Sequence, residues 1–134
     1  MANGEMVQAS WIGYLKSKTA ITSLLQNAGQ VKETQWQGDE FSYPAIRVSV
    51  DYSPSVLGCG PDDIDVFIEI FSEEKSSKQA AHIAAVIQGI LQKKPFTFLG
   101  VNFPLVWVKK VDKPFRDIYA WKSVMYIKGL ANDA

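Results

Sequence analysis

The sequence predicts an α+β fold, with a single mixed or mostly antiparallel sheet and two helices packed mainly on one of its faces. Three observations carry this. Elements run in the order helix, strands, helix, strands. Apolar residues alternate with period two in Ala45–Tyr52 and Asp63–Phe71. They recur with period 3.6 in only two stretches, one near the N-terminus and one in the Ala-rich segment around His82. At 134 residues with 47% hydrophobic composition, one domain over residues 1–134 is expected, with a core that needs no metal or disulfide.

Met6, Val7, Trp11, Ile12 and Leu15 are helically spaced, and Ile21, Leu24 and Leu25 resume the pattern after Ser17-Lys18-Thr19. This predicts a helix from Glu5 to about Ala28, broken in the middle, with Ser17 or Thr19 capping the second piece and Gly29 ending it. Val31–Gln37 is a weak strand before a Gly38-Asp39-Glu40 turn. After Pro44, Ile46, Val48, Val50 and Tyr52 form the core face of a strand, and Arg47, Ser49 and Asp51 its wetter face. Ser53–Asp62, with Pro54, Gly58, Gly60 and Pro61, reads as a long loop. Asp63–Phe71 then puts Ile64, Val66, Ile68 and Ile70 on one side and Phe67, Glu69 and Phe71 on the other.

Ser76-Ser77-Lys78-Gln79 matches a capping box ahead of Ala80, Ile83, Ala84, Ile87, Ile90 and Leu91. The helix should stop near Lys93 or Lys94, before Pro95. Phe96–Leu99 and Phe103–Val111 read as strands about a Gly100 turn, Asp112–Asp117 as a polar connection, and Ile118–Lys128 as the closing strand.

Lys plus Arg and Asp plus Glu each number 14, and a chain of zero formal charge has no long-range attraction for phosphate backbones. The single cysteine, Cys59, admits no internal disulfide and no Cys-based zinc site. With no stretch of about 18 apolar residues and no signal-like N-terminus, the chain is expected to be soluble, outside the membrane and not exported. His82 lies beside the apolar stripe of its helix, away from any nucleophile, and reads as a solvent-edge residue. Asp62, Asp63 and Asp65 lack the glycine turn and distant Glu of a calcium loop. Gly58-Cys59-Gly60-Pro61 is not a phosphate loop. Trp11, Trp36, Trp107 and Trp121, near Lys109, Lys110 and Lys122, are read as core or subunit-contact residues rather than base-stacking platforms. No catalytic, cofactor-binding or metal-ligating residue is assigned.

One feature exceeds a plain globular reading. In the last two strands both parities carry large apolar groups: Phe103, Leu105, Trp107 and Val111 against Val106 and Val108, and Trp121, Met125 and Ile127 against Ile118, Val124 and Tyr126. Two helices cover one face of such a sheet, so the second face calls for another cover, a second copy being one and a curl of the sheet or a wrap of the N-terminal helix the other. Phe67, Glu69, Phe71, Trp107 and Trp121 are the candidate self-contact residues.

The ordered set also resembles the tail terminator (tail completion, minor tail protein) family of long-tailed phages and prophages. The likeness rests on the Thr19-Ala-Ile-Thr-Ser-Leu-Leu piece, the Tyr43-Pro44-Ala45-Ile46-Arg47-Val48 strand and a Pro/Gly-rich loop. It continues through the Asp65-Val66-Phe67-Ile68-Glu69-Ile70-Phe71-Ser72 strand, the helix ending Ile90-Leu91, the strands after Phe98-Leu99-Gly100-Val101, and Tyr119-Ala120-Trp121-Lys122-Ser123-Val124. It spans about residues 10 to 129. It implies a non-enzymatic virion protein without cofactor, in the tail-neck region of the particle and in the host cytoplasm during assembly. Such proteins form a hexameric ring that caps the tail tube, stops its polymerisation and meets the head-tail connector, and DNA passes through the ring without specific binding. Under that resemblance Tyr52, Pro54, Leu57 and Asp62 of the long loop, and Lys113, Phe115 and Arg116 of the polar connection, are candidate contacts to tube or head. Another neck or head-completion protein is the neighbouring alternative, and a small enzyme or ligand-binding module is the alternative of a different class.

Overall fold

Alternation over residues 62–72 dictates the centre of the molecule. In the computed structural model, which describes residues 3–25, 30–33, 44–55, 61–72, 77–116 and 121–133, this stretch is strand β3 (Asp62–Ser72), with Ile64, Val66, Ile68 and Ile70 all fully buried. It pairs antiparallel with β2 (Ala45–Ser53) on one side and with β7 (Trp121–Asp133) on the other. The full order is β1-β2-β3-β7-β5-β4, with β1 (Val31–Glu33) parallel to β2 and the other pairs antiparallel. β4 (Phe96–Phe98) and β5 (Val101–Val111) form a hairpin, and β6 (Phe115–Arg116) joins the start of β7. The fold is α+β, with a mixed, curled sheet.

Helix α1 (Gly4–Ser17) starts at Asn3, whose side-chain oxygen accepts from the Met6 amide at 2.9 Å. That cap satisfies one of the orphan donors of the first turn and sets the start one residue before the expected Glu5. Val7, Trp11 and Leu15 point into the core, where the Trp11 ring meets Phe96 and Phe103 edge-on at 5.1 and 5.6 Å. Lys18, in extended geometry, breaks the helix before the short α2 (Thr19–Thr22). The break falls where expected, but Lys18 holds the capping position that Ser17 or Thr19 was expected to fill, with no side-chain cap.

Helix α3 (Lys78–Leu91) lays Ala80, Ile83, Ala84, Ile87 and Leu91 on the same sheet face. The expected capping box begins at Ser76, outside the described residues; Ser77 holds the cap position without a side-chain bond, and Gln79 accepts from Ser72 Oγ of β3. At the other end Lys94 Nζ donates to Gly89 O at 2.8 Å, a cation on an orphan carbonyl. Each fully buried Ile of this core contributes about 1.5–3 kcal/mol through apolar burial.

Four further expectations are corrected. Arg47, placed on a wetter face, is only 3% exposed, because its guanidinium donates to Gln30 O at 2.7 Å and Ile46 O at 2.9 Å beside β1. Burial lowers its pKa from the usual value, opposed by the nearby Glu69 charge. Phe103 and Val111 do not share a face with Leu105 and Trp107: register shifts between Asn102 and Leu105 and between Val108 and Lys110 put Phe103 and Val111 with the core. Pro104 sits in the first shift, where a residue without an amide proton breaks no ladder bond. The polar connection contains β6. The closing strand continues five residues past Lys128, through Gly129, where an added Cβ would lie 2.6 Å from Leu105 O. That close approach is why glycine stands inside the strand.

The Gly29 stop, the Gly38-Asp39-Glu40 turn, Trp36, Leu57, Cys59, Ser76 and Ile118 lie outside the described residues.

Candidate functional site: the open face of the sheet

Cross-strand register arranges the second sheet face in rows. Asp51, Asp65, Lys128 and Trp107 lie side by side across β2, β3, β7 and β5, and Ser49, Phe67, Tyr126 and Lys110 form the next row. Further along come Arg47, Glu69 and Val124, then Phe71, Lys122 and Phe115 of β6. Both main helices spend their buried stripes on the opposite face, and among the described elements no helix packs on this one.

The middle of the face is knitted together by its own side chains. Phe67 and Tyr126 meet edge-on at 5.6 Å, as directly opposed residues of an antiparallel pair can. Lys122 reaches diagonally to Glu69 at 2.6 Å and lies 5.4 Å over the Phe71 ring. Lys128 stands 3.6 Å from Asp65. Lys110 pairs with Asp112 at 3.1 Å and sits 5.6 Å over Tyr126, whose hydroxyl donates to Asp112 Oδ2 at 3.1 Å and has its pKa raised chiefly by that bond.

Its flank is different. Leu105, Trp107 and Phe115 are 47%, 54% and 45% exposed, three of the five large hydrophobic residues that stand out of the described structure. Trp107 and Leu105 border an apolar groove of about 380 Å³ with Lys93, Pro95 and Pro104. The outer edge of β5 there is closed by the chain following α3: Lys93 N donates to Val106 O at 3.0 Å, and Val108 N donates to Gln92 Oε1 at 2.7 Å.

Of the residues singled out by sequence, Phe67, Glu69, Phe71 and Trp107 come together on this face. Trp121 does not: it lies on the core side in register with Ser72 and packs, half-exposed, against the core cluster. At the far end Tyr52 donates to Asp62, which also accepts from the Ser55 amide at 2.7 Å, so the described ends of the 53–62 segment are clamped, with Pro54 exposed beside them. These bonds lower the Asp62 pKa, and the Asp62 bond above all pushes Tyr52 up to about 12. Lys113, Phe115 and Arg116 lie exposed at the other end of the sheet, beside the start of β7. His82 is exposed on α3, and among the described residues no three of His, Cys, Asp or Glu gather as metal ligands. The residue pattern pairs Leu105 with Trp107, two positions apart, as the structure does; Phe115, read only as a candidate contact to tube or head, joins them because β6 pairs with β7, which the residue pattern does not signal.

No family model matches the chain, and no curated protein sequence matches it. Among solved structures it is similar to a chain of the virion of a native gene transfer agent particle, over 93% of both chains, with a TM-score of 0.72 at 12% identity. The two chains share this fold.

Proposed function

We propose that the protein is a non-enzymatic structural component of a phage-like virion: a tail terminator that forms a ring on the finished tail tube, stops further polymerisation and presents a surface to the head-tail connector. The observation that carries the reading is the open sheet face, rigid in its middle and edged by Leu105, Trp107 and Phe115. Exposed apolar side chains on a rigid platform favour association, since each gains from leaving water without ordering a loose segment. A virion chain of the same fold supports the structural role. Glu69 and Asp65 of this face are engaged by Lys122 and Lys128, and Asp112 beside it by Lys110 and Tyr126, rather than converging on a cavity, which suits assembly better than catalysis. Self-contact uses Phe67, Glu69, Phe71 and Trp107, in a ring expected to hold six copies. The clamped Tyr52–Asp62 end and the Lys113–Arg116 end are the contacts to tube and connector. The protein sits in the tail-neck region of the particle, and in the host cytoplasm before that. A zero net charge suits a channel through which DNA slides.

Electron microscopy of lysates from which this gene is deleted tests the proposal. Overlong, headless tubes are expected. Tubes of normal length beside unjoined heads reassign the protein to the neck, and normal particles overturn both assignments.

A further inference from the structure

Zero net charge conceals a division across the sheet. From residue 44 to 72, the β2–β3 half, the chain carries five carboxylates and one guanidinium, whereas from 93 to 133, the β4–β7 half, it carries eight lysines and arginines and three aspartates. Along the β3–β7 seam the opposite charges cancel through Lys122–Glu69 and Lys128–Asp65. Away from the seam they do so only at Lys110–Asp112 among the described residues. Asp51 stands directly opposite Asp65 in the β2–β3 register, a like-charge pair that costs stability, and exposed Asp63 adjoins them. Across the sheet, Lys93 borders the Trp107 groove, and exposed Lys109 sits in the second β5 register shift, lining a hollow of about 290 Å³ with Lys110 and Tyr126. Asp51, Asp63, Lys93 and Lys109 have no ion pair among the described residues.

We infer that the occupant of the β5 flank is a second copy of this chain: the basic, Trp107-bearing flank of one copy docks on the acidic β2–β3 half-face of the next. The charges select that partner, because each copy carries both the excess cations and the excess carboxylates that match them. The two patches are different surfaces of one molecule, so the contact is head-to-tail, the type that closes into a ring when its rotation permits. With Val106 O and Val108 N in the middle of the β5 edge already engaged by Lys93 and Gln92, the contact is made by side chains rather than by an added strand. The inference rests on the ring-forming reading above and fails separately from it.

The experiment uses two full-length variants, D51K/D63K and K93E/K109E, expressed singly and together in gene-deleted lysates, with tube length as the readout. All four positions are exposed, and retention of the wild-type melting transition checks folding. If either pair melts early, D51N/D63N and K93Q/K109Q take its place, each expected to complement poorly alone and, uncharged, together. Each reversed variant alone repels its own copies and is expected to leave overlong tubes. Together they alternate around an even-membered ring and are expected to restore normal length. Full complementation by either reversed variant alone, or failure of the mixture of folded reversed variants, overturns the contact and leaves the terminator role standing. A deletion that does not alter tube length overturns the terminator role and the contact's place in it.

Discussion

The same strands show two faces built on different principles. On the helix side, Ile64, Val66, Ile68 and Ile70 of β3 are fully out of water, and their neighbours on β7 and β5, Met125, Ile127, Phe103 and Val106, are closed to within 2%. On the other side, the intervening residues alternate aromatic with charged and touch mainly their cross-strand neighbours. The first face has the dense interlock that gives a fold its stability. The second holds a shape and an electrostatic pattern, and leaves apolar area unspent at its flank. Stability and recognition are therefore separable here by residue parity, and substitutions a few positions apart on one strand should have opposite consequences.

Phe103→Ala gives the largest expected effect, a loss of about 3–5 kcal/mol in denaturant unfolding, since Phe103 is fully buried against Trp11 and Phe96. Trp107→Ser, four residues on, should leave unfolding within about 0.5 kcal/mol of wild type and weaken assembly instead. Gly129→Ala comes next. Its Cβ meets backbone at 2.6 Å, so β5 must move, at a cost of about 1–3 kcal/mol by the same measurement. Phe67→Ser with Phe71→Ser removes half-buried rings from the open face and should give a folded protein that no longer assembles, read by near-UV circular dichroism and particle-size analysis; an unfolded product would mean that this face is a second core. Glu69→Gln breaks the pair with Lys122 and should cost about 1 kcal/mol or less. The smallest effect is at the clamp. Because the folded Tyr52 pKa is raised to about 12, the contribution of Tyr52 to the clamp is fully present below the ordinary tyrosine value near 10 and is lost as pH rises through about 12, while the lowered Asp62 pKa makes the carboxylate's contribution fade as pH falls through the acid range. Tyrosinate absorbance should show late titration from Tyr52 and Tyr126, and the Tyr52 part disappears in Tyr52→Phe while the Tyr126 part stays.

The helix-side face was readable from sequence because its signal is local: β-branched residues at spacing two in Asp63–Phe71 and small and aliphatic residues at spacing 3.6 in Ala80–Leu91 each fix their own element. The open face was readable only in part. Phe67, Glu69 and Phe71 follow from strict alternation on β3. On β5, two register shifts reset the parity, so Phe103 and Trp107, equal by counting, end on opposite sides. Arg47 was misjudged for a related reason. Its burial depends on Gln30 and β1, neighbours 14 or more positions away that no local pattern announces. Trp121 counted as a second-face residue only while the strand's core side was left open by the two-parity pattern.

The two bonds by which the chain after α3 engages Val106 and Val108 have a consequence for life in a crowded assembly pathway. An unshielded strand end-row is a universal template: any extended segment can zip onto it, whatever its sequence, and polymerise without limit. Occupying those two groups with Gln92 and Lys93 obstructs the indiscriminate route to growth along β5 and favours, at this flank, contacts that depend on side-chain identity. A component whose proposed task is to bring one polymer to a defined length is in this way guarded against starting another.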